Sequence, residues 1–251
     1  DQLAEKGRSK GDHFKDPFSC LKASVIYGRT YYDFQRVGKT PGNINWIKQQ
    51  MMKLYASAID IAYRSEDEML MANVSYNYGS VCTSFGEIGL AVMYSKNGID
   101  LFEKISYPVE PQQYQYLAEL LYRVREYNES IRYGKKEVTA WQASPQEFKP
   151  FTVSSMNTVA LGYHRQQFYD SALIFYNRAL DLAKQIKDTV WTGIVSGNMG
   201  QIFYAQEKYD TAYVLLKGDY NASKERGLFD NAGHSLQWAA RTNLALGNKA
   251  T

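Results

Sequence analysis

The chain has 251 residues, 45% of them apolar, and a formal net charge of +3. That apolar fraction supports a large packed core and excludes a disordered chain. The near-neutral charge excludes a nucleic-acid footprint: the longest basic cluster, Arg132 to Lys136, is itself interrupted by Tyr133 and Gly134.

The chain opens at Asp1, and Leu3-Ala4-Glu5-Lys6 reads as the tail of a helix. Because the repeat pattern described below also stops just after Gly247, a piece of a longer protein is expected. From Tyr27 onward a large residue, a small residue, two free positions and another large residue recur. The set is Tyr27-Gly28…Tyr31, Tyr78-Gly79…Cys82, Leu117-Ala118…Leu121, Val159-Ala160…Tyr163, Met199-Gly200…Phe203 and a degenerate Ala239-Ala240…Asn243. Steps of 51, 39, 42, 40 and 40 residues separate the small positions, a period that indicates stacked helical pairs rather than a closed globule.

Each repeat carries a second signature about ten residues later: Ile88…Ala91, Tyr127…Ser130, Tyr169…Ala172 and Tyr209…Ala212. Turns at Gly86-Glu87, Arg125-Glu126, Gln166-Gln167 and Glu207-Lys208 precede these signatures. Apolar residues then return at helical spacing. In the fourth repeat Ala172, Phe175, Tyr176, Ala179, Leu180 and Ala183 share one face. The pattern predicts helical hairpins in which small residues let the second helix approach and large ones fill the gaps. One hairpin cannot bury its stripe alone, so the next must stack on it. A single all-α array over 1–251 is expected, with repeats near 18–66, 69–106, 110–144, 151–188 and 190–227 and a partial one at 229–251.

Two segments depart from the pattern. The first repeat carries some eleven extra residues around Val37-Gly38-Lys39-Thr40-Pro41-Gly42, and its second helix lacks a clean signature. In the fifth repeat Gly218-Asp219 stands where a small residue followed by an apolar one is expected, which predicts a kink or early break.

Candidate chemistry is sparse. Gly38-Lys39-Thr40 resembles the end of a phosphate-binding loop, but Asp33 occupies the place of the earlier glycine and no strand precedes it. An inter-helix loop is the better reading. His13, His164 and His234 have no metal-type partner at i+3 or i+4. The carboxylates Glu66, Asp67 and Glu68 read as a capped helix start. In the repeat register Cys20 and Cys82 lie about 16 Å apart along a helix axis, beyond disulfide reach, so free thiols are expected. No catalytic centre, metal or cofactor is expected, and no apolar run is long enough to insert this segment in a membrane.

The paired signatures resemble those of the tetratricopeptide repeat family. The clearest stretch is Met156 to Leu180, with Val159-Ala160, Tyr163, Tyr169, Ala172, Tyr176 and Ala179-Leu180. Residues 193–216 follow through Met199-Gly200, Phe203, Tyr209, Ala212 and Leu216. The period exceeds the family's usual 34 or so and resembles the longer-helix variety of bacterial signalling regulators.

The resemblance implies a right-handed superhelical solenoid whose first helices line a concave surface. On that face it would place Arg29, Tyr76, Asn77, Gln115, Glu119, Tyr122, Arg123, Asn157, His164, Arg165, Asn198, Gln201, Tyr204, Gln237 and Arg241. The chain holds 21 tyrosines, and tyrosine, arginine and amide side chains together make a wall suited to an extended peptide. The carboxylate clamp of chaperone-binding members is disfavoured, because its lysines are absent and Glu119 would repel a carboxylate.

The function this resemblance implies is a non-catalytic protein- or peptide-recognition or sensory segment of a larger bacterial signalling protein. Input regions of sensor histidine kinases and repeat-bearing transcription regulators are the resembling cases, which weighs an extracytoplasmic, membrane-anchored setting above a cytoplasmic one. The alternative is a self-association scaffold, with a homodimer as its simplest form.

Overall fold

A computed structural model describes residues 44–143 and 149–247 of the chain. Among these are ten helices and no strand: α1 (Ile44–Arg64), α2 (Glu68–Ser84), α3 (Ile88–Lys104), α4 (Pro111–Arg123), α5 (Tyr127–Ala143), α6 (Lys149–Arg165), α7 (Tyr169–Gln185), α8 (Thr189–Ala205), α9 (Tyr209–Glu225) and α10 (Phe229–Ala245). They divide into two compact units, Asp1–Val109 and Glu110–Thr251. The extra segment around Gly38, together with Cys20, His13 and Arg29, lies outside the described residues.

In the first unit α2 packs against both α1 and α3. Helix α1 lacks the sequence signature, yet it presents a ladder of buried residues at helical spacing: Ile47, Met51, Leu54, Ala58 and Ala62. Leu70 and Val74 of α2 complete that core. Asp67 caps α2 as expected, accepting from the Leu70 N–H at 3.0 Å. Gly98 allows α3 close to α2, since a Cβ there would lie 2.7 Å from that of Tyr76. Cys82 is a buried free thiol. Burial first, and then the nearby Glu87, push it up to about 11, so it stays protonated and unreactive.

In the second unit the hairpins are α4/α5, α6/α7 and α8/α9, with α10 packed on α9. Helices of 17 residues joined by three-residue turns make the forty-residue period. Among the described residues, each three-residue turn of this unit closes through a residue in the left-handed region: Arg125, Gln167, Lys187, Glu207 and Gly227. The first helices α4, α6, α8 and α10 touch in series, whereas α5, α7 and α9 touch no other second helix. The first-helix row is therefore the inner side of this unit's stack. Ala160, Ala172, Tyr176, Ala179, Val195 and Ile202 form its central core.

The expected break at Gly218-Asp219 does not occur: α9 runs unbroken from Tyr209 to Glu225. Gly218 faces open space, and Asp219, though buried, keeps its carboxylate satisfied. Its Oδ1 accepts from Ser223 Oγ at 3.0 Å and from Asn231 Nδ2 at 2.9 Å, and its Oδ2 accepts from Ser235 Oγ. Gly193 and Gly197 of α8 leave the space this carboxylate occupies.

Candidate functional site

The candidate residues fall in both units. In the first, Tyr76 is half-buried against Gly98, and Asn77 is exposed, its Nδ2 donating to the Asn73 carbonyl at 2.7 Å. All the others described lie on the first-helix row of the second unit.

There, side chains link neighbouring first helices at three levels. Arg165 of α6 donates from Nε to the Tyr122 hydroxyl of α4 at 2.7 Å. Asn198 of α8 donates from Nδ2 to Oδ1 of buried Asn157 of α6 at 2.9 Å. Tyr204 of α8 meets Trp238 of α10 edge-on, with ring centroids 5.4 Å apart. The Gln201 amide lies 3.4 Å from Asn198 Oδ1, which extends the polar line along α8. Gln115 donates to Glu119 at 3.2 Å within α4, and Arg241 lies over the Trp238 ring at 5.2 Å. Arg123 and Gln237 are exposed on the same helices.

A second recurrence is internal to the hairpins. Tyr122, His164 and Tyr204 occupy the last turn of successive first helices. Each packs tilted or edge-on against the tyrosine that opens the next helix: Tyr127 at 5.6 Å, Tyr169 at 6.0 Å and Tyr209 at 5.4 Å. These rings hold the turns shut. His164 also meets the buried Tyr176 ring edge-on at 6.5 Å. Burial, aided by the Arg165 charge, lowers its imidazole to about 4, so it is neutral near pH 7. Burial of Tyr176 in turn pushes its phenol up.

Sequence reasoning passed over two residues here. Trp238 lies forty positions after Asn198, so the period itself was the available signal. Glu137 of α5 is fully buried. Its Oε1 accepts from Ser155 Oγ of α6 and, at 3.3 Å, from Trp141 Nε1, while Oε2 has no partner. Desolvation raises this carboxyl to about 7 against the two stabilising hydrogen bonds, with a smaller upward contribution from Glu119. No group of three or more histidine, cysteine, aspartate or glutamate side chains among the described residues has metal-holding geometry. None of the described helices is long and apolar enough to cross a membrane.

Amides, guanidinium groups and aromatic rings thus lie along one row of first helices. A family model for the tetratricopeptide repeat matches residues 113–185 and 152–217. Among solved structures, a signal-transduction ATPase with a tetratricopeptide repeat sensor from Pyrococcus horikoshii is similar at 15% identity and a TM-score of 0.64. That alignment covers 91% of this chain but only 33% of the ATPase. The apo form of RapI is similar at 12% identity and a TM-score of 0.65, over 98% of this chain and 72% of RapI. YrrB, a repeat protein with an unusual peptide-binding site, is similar at 12% identity and a TM-score of 0.61, over 93% of this chain and 99% of YrrB. At these identities the likeness is one of fold. A search of curated protein sequences finds no match.

Proposed function

Taking as premise that this is a tetratricopeptide-repeat protein, we propose that it is a non-catalytic recognition segment that binds an extended peptide or protein segment along α4, α6, α8 and α10. The observation that carries this reading is the pair Asn157–Asn198. A buried amide on α6 orients a half-buried one on α8, and Gln201 continues the line. An extended backbone presents donors and acceptors that such amides satisfy, while Tyr204, Trp238 and the arginines supply contact area and charge. The fold of YrrB, a peptide binder by its description, is compatible with this use.

We further place the segment at the input end of a larger signalling protein, as the repeat sensor of the Pyrococcus horikoshii ATPase illustrates for that protein. The test is selection from a displayed library of unstructured peptides, followed by fluorescence anisotropy with purified chain. Selected peptides should bind wild type and lose at least about tenfold in affinity on Asn198→Ala combined with Gln201→Ala, with helix content unchanged. Failure to select any peptide, or binding indifferent to these substitutions, would count against the reading.

A further inference from the structure

The last turns of the second unit's first helices are alike in backbone but not in charge. α4, α6, α8 and α10 end on Arg123, Arg165, Ala205 and Ala245, preceded by Tyr122, His164, Tyr204 and Leu244. Arg165 of α6 therefore faces Tyr122 of α4, whereas the same register at the next two junctions sets Ala205 against His164 and Ala245 against Tyr204. A guanidinium beside a phenol occurs at the α4/α6 junction and at neither of the others.

The Arg165 guanidinium meets phenols rather than a carboxylate. Its Nε donates to the Tyr122 hydroxyl at 2.7 Å, its Cζ lies 6.0 Å from the Tyr122 ring centroid, and Tyr127 and Tyr176 are its other electrostatic neighbours. Arg165 is exposed and Nε is the engaged atom, which leaves the Nη pair for a ligand. The Tyr122 oxygen accepts from Nε, so its own proton remains to donate. Tyr176 Oη is buried nearby with no hydrogen-bond partner among the described residues, a dipole able to turn its proton toward an anion. His164 is neutral near pH 7, so Arg165 is the one charged member of this cluster. Along the row, α6 and α8 contain no Asp or Glu, and α4 contains only Glu119, exposed and bonded by Gln115 at 3.2 Å.

The geometry points to a seat for one acidic side chain, an Asp or Glu within the extended peptide, its carboxylate on the Nη pair of Arg165 and accepting from the Tyr122 hydroxyl. This assignment rests on the peptide-binding reading above and adds a sequence requirement to it. A planar carboxylate matches the guanidinium fork in shape and carries a single charge. A phosphate ester, at about −1.5 to −2 near pH 7, would leave negative charge unmatched. Tyr122 holds Nε and so fixes the direction of the fork, which lowers the entropic cost of docking. Glu119 lies one turn back along α4 and repels a second acidic residue there, so the seat takes one carboxylate rather than an acidic run.

The test uses the selected peptides, made with amidated C-termini so that side chains hold their only carboxylates, in anisotropy titrations with the 251-residue chain. Binders should share an Asp or Glu at one position, and its change to Asn or Gln should weaken binding to wild type at least about tenfold. Arg165→Gln, with helix content unchanged, should weaken the acidic peptide by the same factor and leave its amide counterpart unaffected. The two changes together should then cost no more than either alone. An acid-to-amide change that costs as much in Arg165→Gln as in wild type would place the carboxylate elsewhere and overturn the proposal. So would binders with no acidic position in common. In both cases, binding that still depends on Asn198 and Gln201 leaves the groove reading standing, whereas selection of no peptide at all removes both.

Discussion

Asn198 and Asn157, 41 residues apart in the chain, share a hydrogen bond of 2.9 Å that ties α8 to α6. Asn157 is buried and Asn198 half-buried, so substitutions at the two should differ in kind. Asn157→Ala leaves a vacancy in the packed row and should cost about 1–3 kcal/mol of stability. Asn198→Ala should cost less stability and act chiefly on peptide affinity. Urea denaturation of both variants, set beside anisotropy with a selected peptide, separates the two effects. Equal losses of stability would contradict the assignment.

Gly197 and Asp219 are a matched pair across α8 and α9, the missing Cβ of one making room for the carboxylate of the other. Gly197→Ala should destabilise the chain by about 1–3 kcal/mol through overpacking. Gly218→Ala, on the open side of the same helix, should stabilise it by up to about 1 kcal/mol through helix propensity. Opposite signs in urea denaturation are the expected outcome.

Glu137 makes stability depend on pH. Its folded-state carboxyl is raised to about 7 from an ordinary 4.5, so the folded chain holds this proton more tightly than the unfolded chain does. The contribution to stability is therefore full below about pH 4.5, declines between 4.5 and 7, and is absent above. Across that window the loss from this one group is about 3 kcal/mol. Glu137→Gln keeps an acceptor for Ser155 and Trp141 without the charge. It should be more stable than wild type at pH 8 and show less decline from pH 5 to pH 8. An unchanged pH profile in the variant would contradict the assignment.

The left-handed turn residues Gln167 and Glu207, at φ of 63° and 60°, stand where glycine is conformationally cheaper. Gln167→Gly and Glu207→Gly should each raise stability by up to about 1 kcal/mol, seen as a Tm a few degrees higher. A lower Tm would show that these side chains contribute more than their backbone conformation costs.

The helical repeat was legible in the sequence because the residues that build it are close in the chain. Ala160, Ala172, Tyr176 and Ala179 repeat at helical spacing within one hairpin, and so do their equivalents forty residues later. What the period left open was direction within a helix. Tyr122, His164 and Tyr204 are among the groove candidates, and their rings also pack onto Tyr127, Tyr169 and Tyr209. A shift of one residue rotates a side chain by about 100°, finer than a pattern of large and small residues resolves. Asp219 was misread for another reason. Its partners Ser223, Asn231 and Ser235 lie on its own helix and on the next, and only the packed structure shows that its carboxylate is satisfied.

Peptide recognition is assigned above all to the first helices of the second unit. Backbone amide chemical shifts, followed by NMR as a selected peptide is titrated in, test this directly. The largest changes should cluster on α6 and α8 around Asn157, Asn198 and Gln201, with extension to Tyr122 and Trp238. Changes confined to α5, α7 and α9 would contradict it.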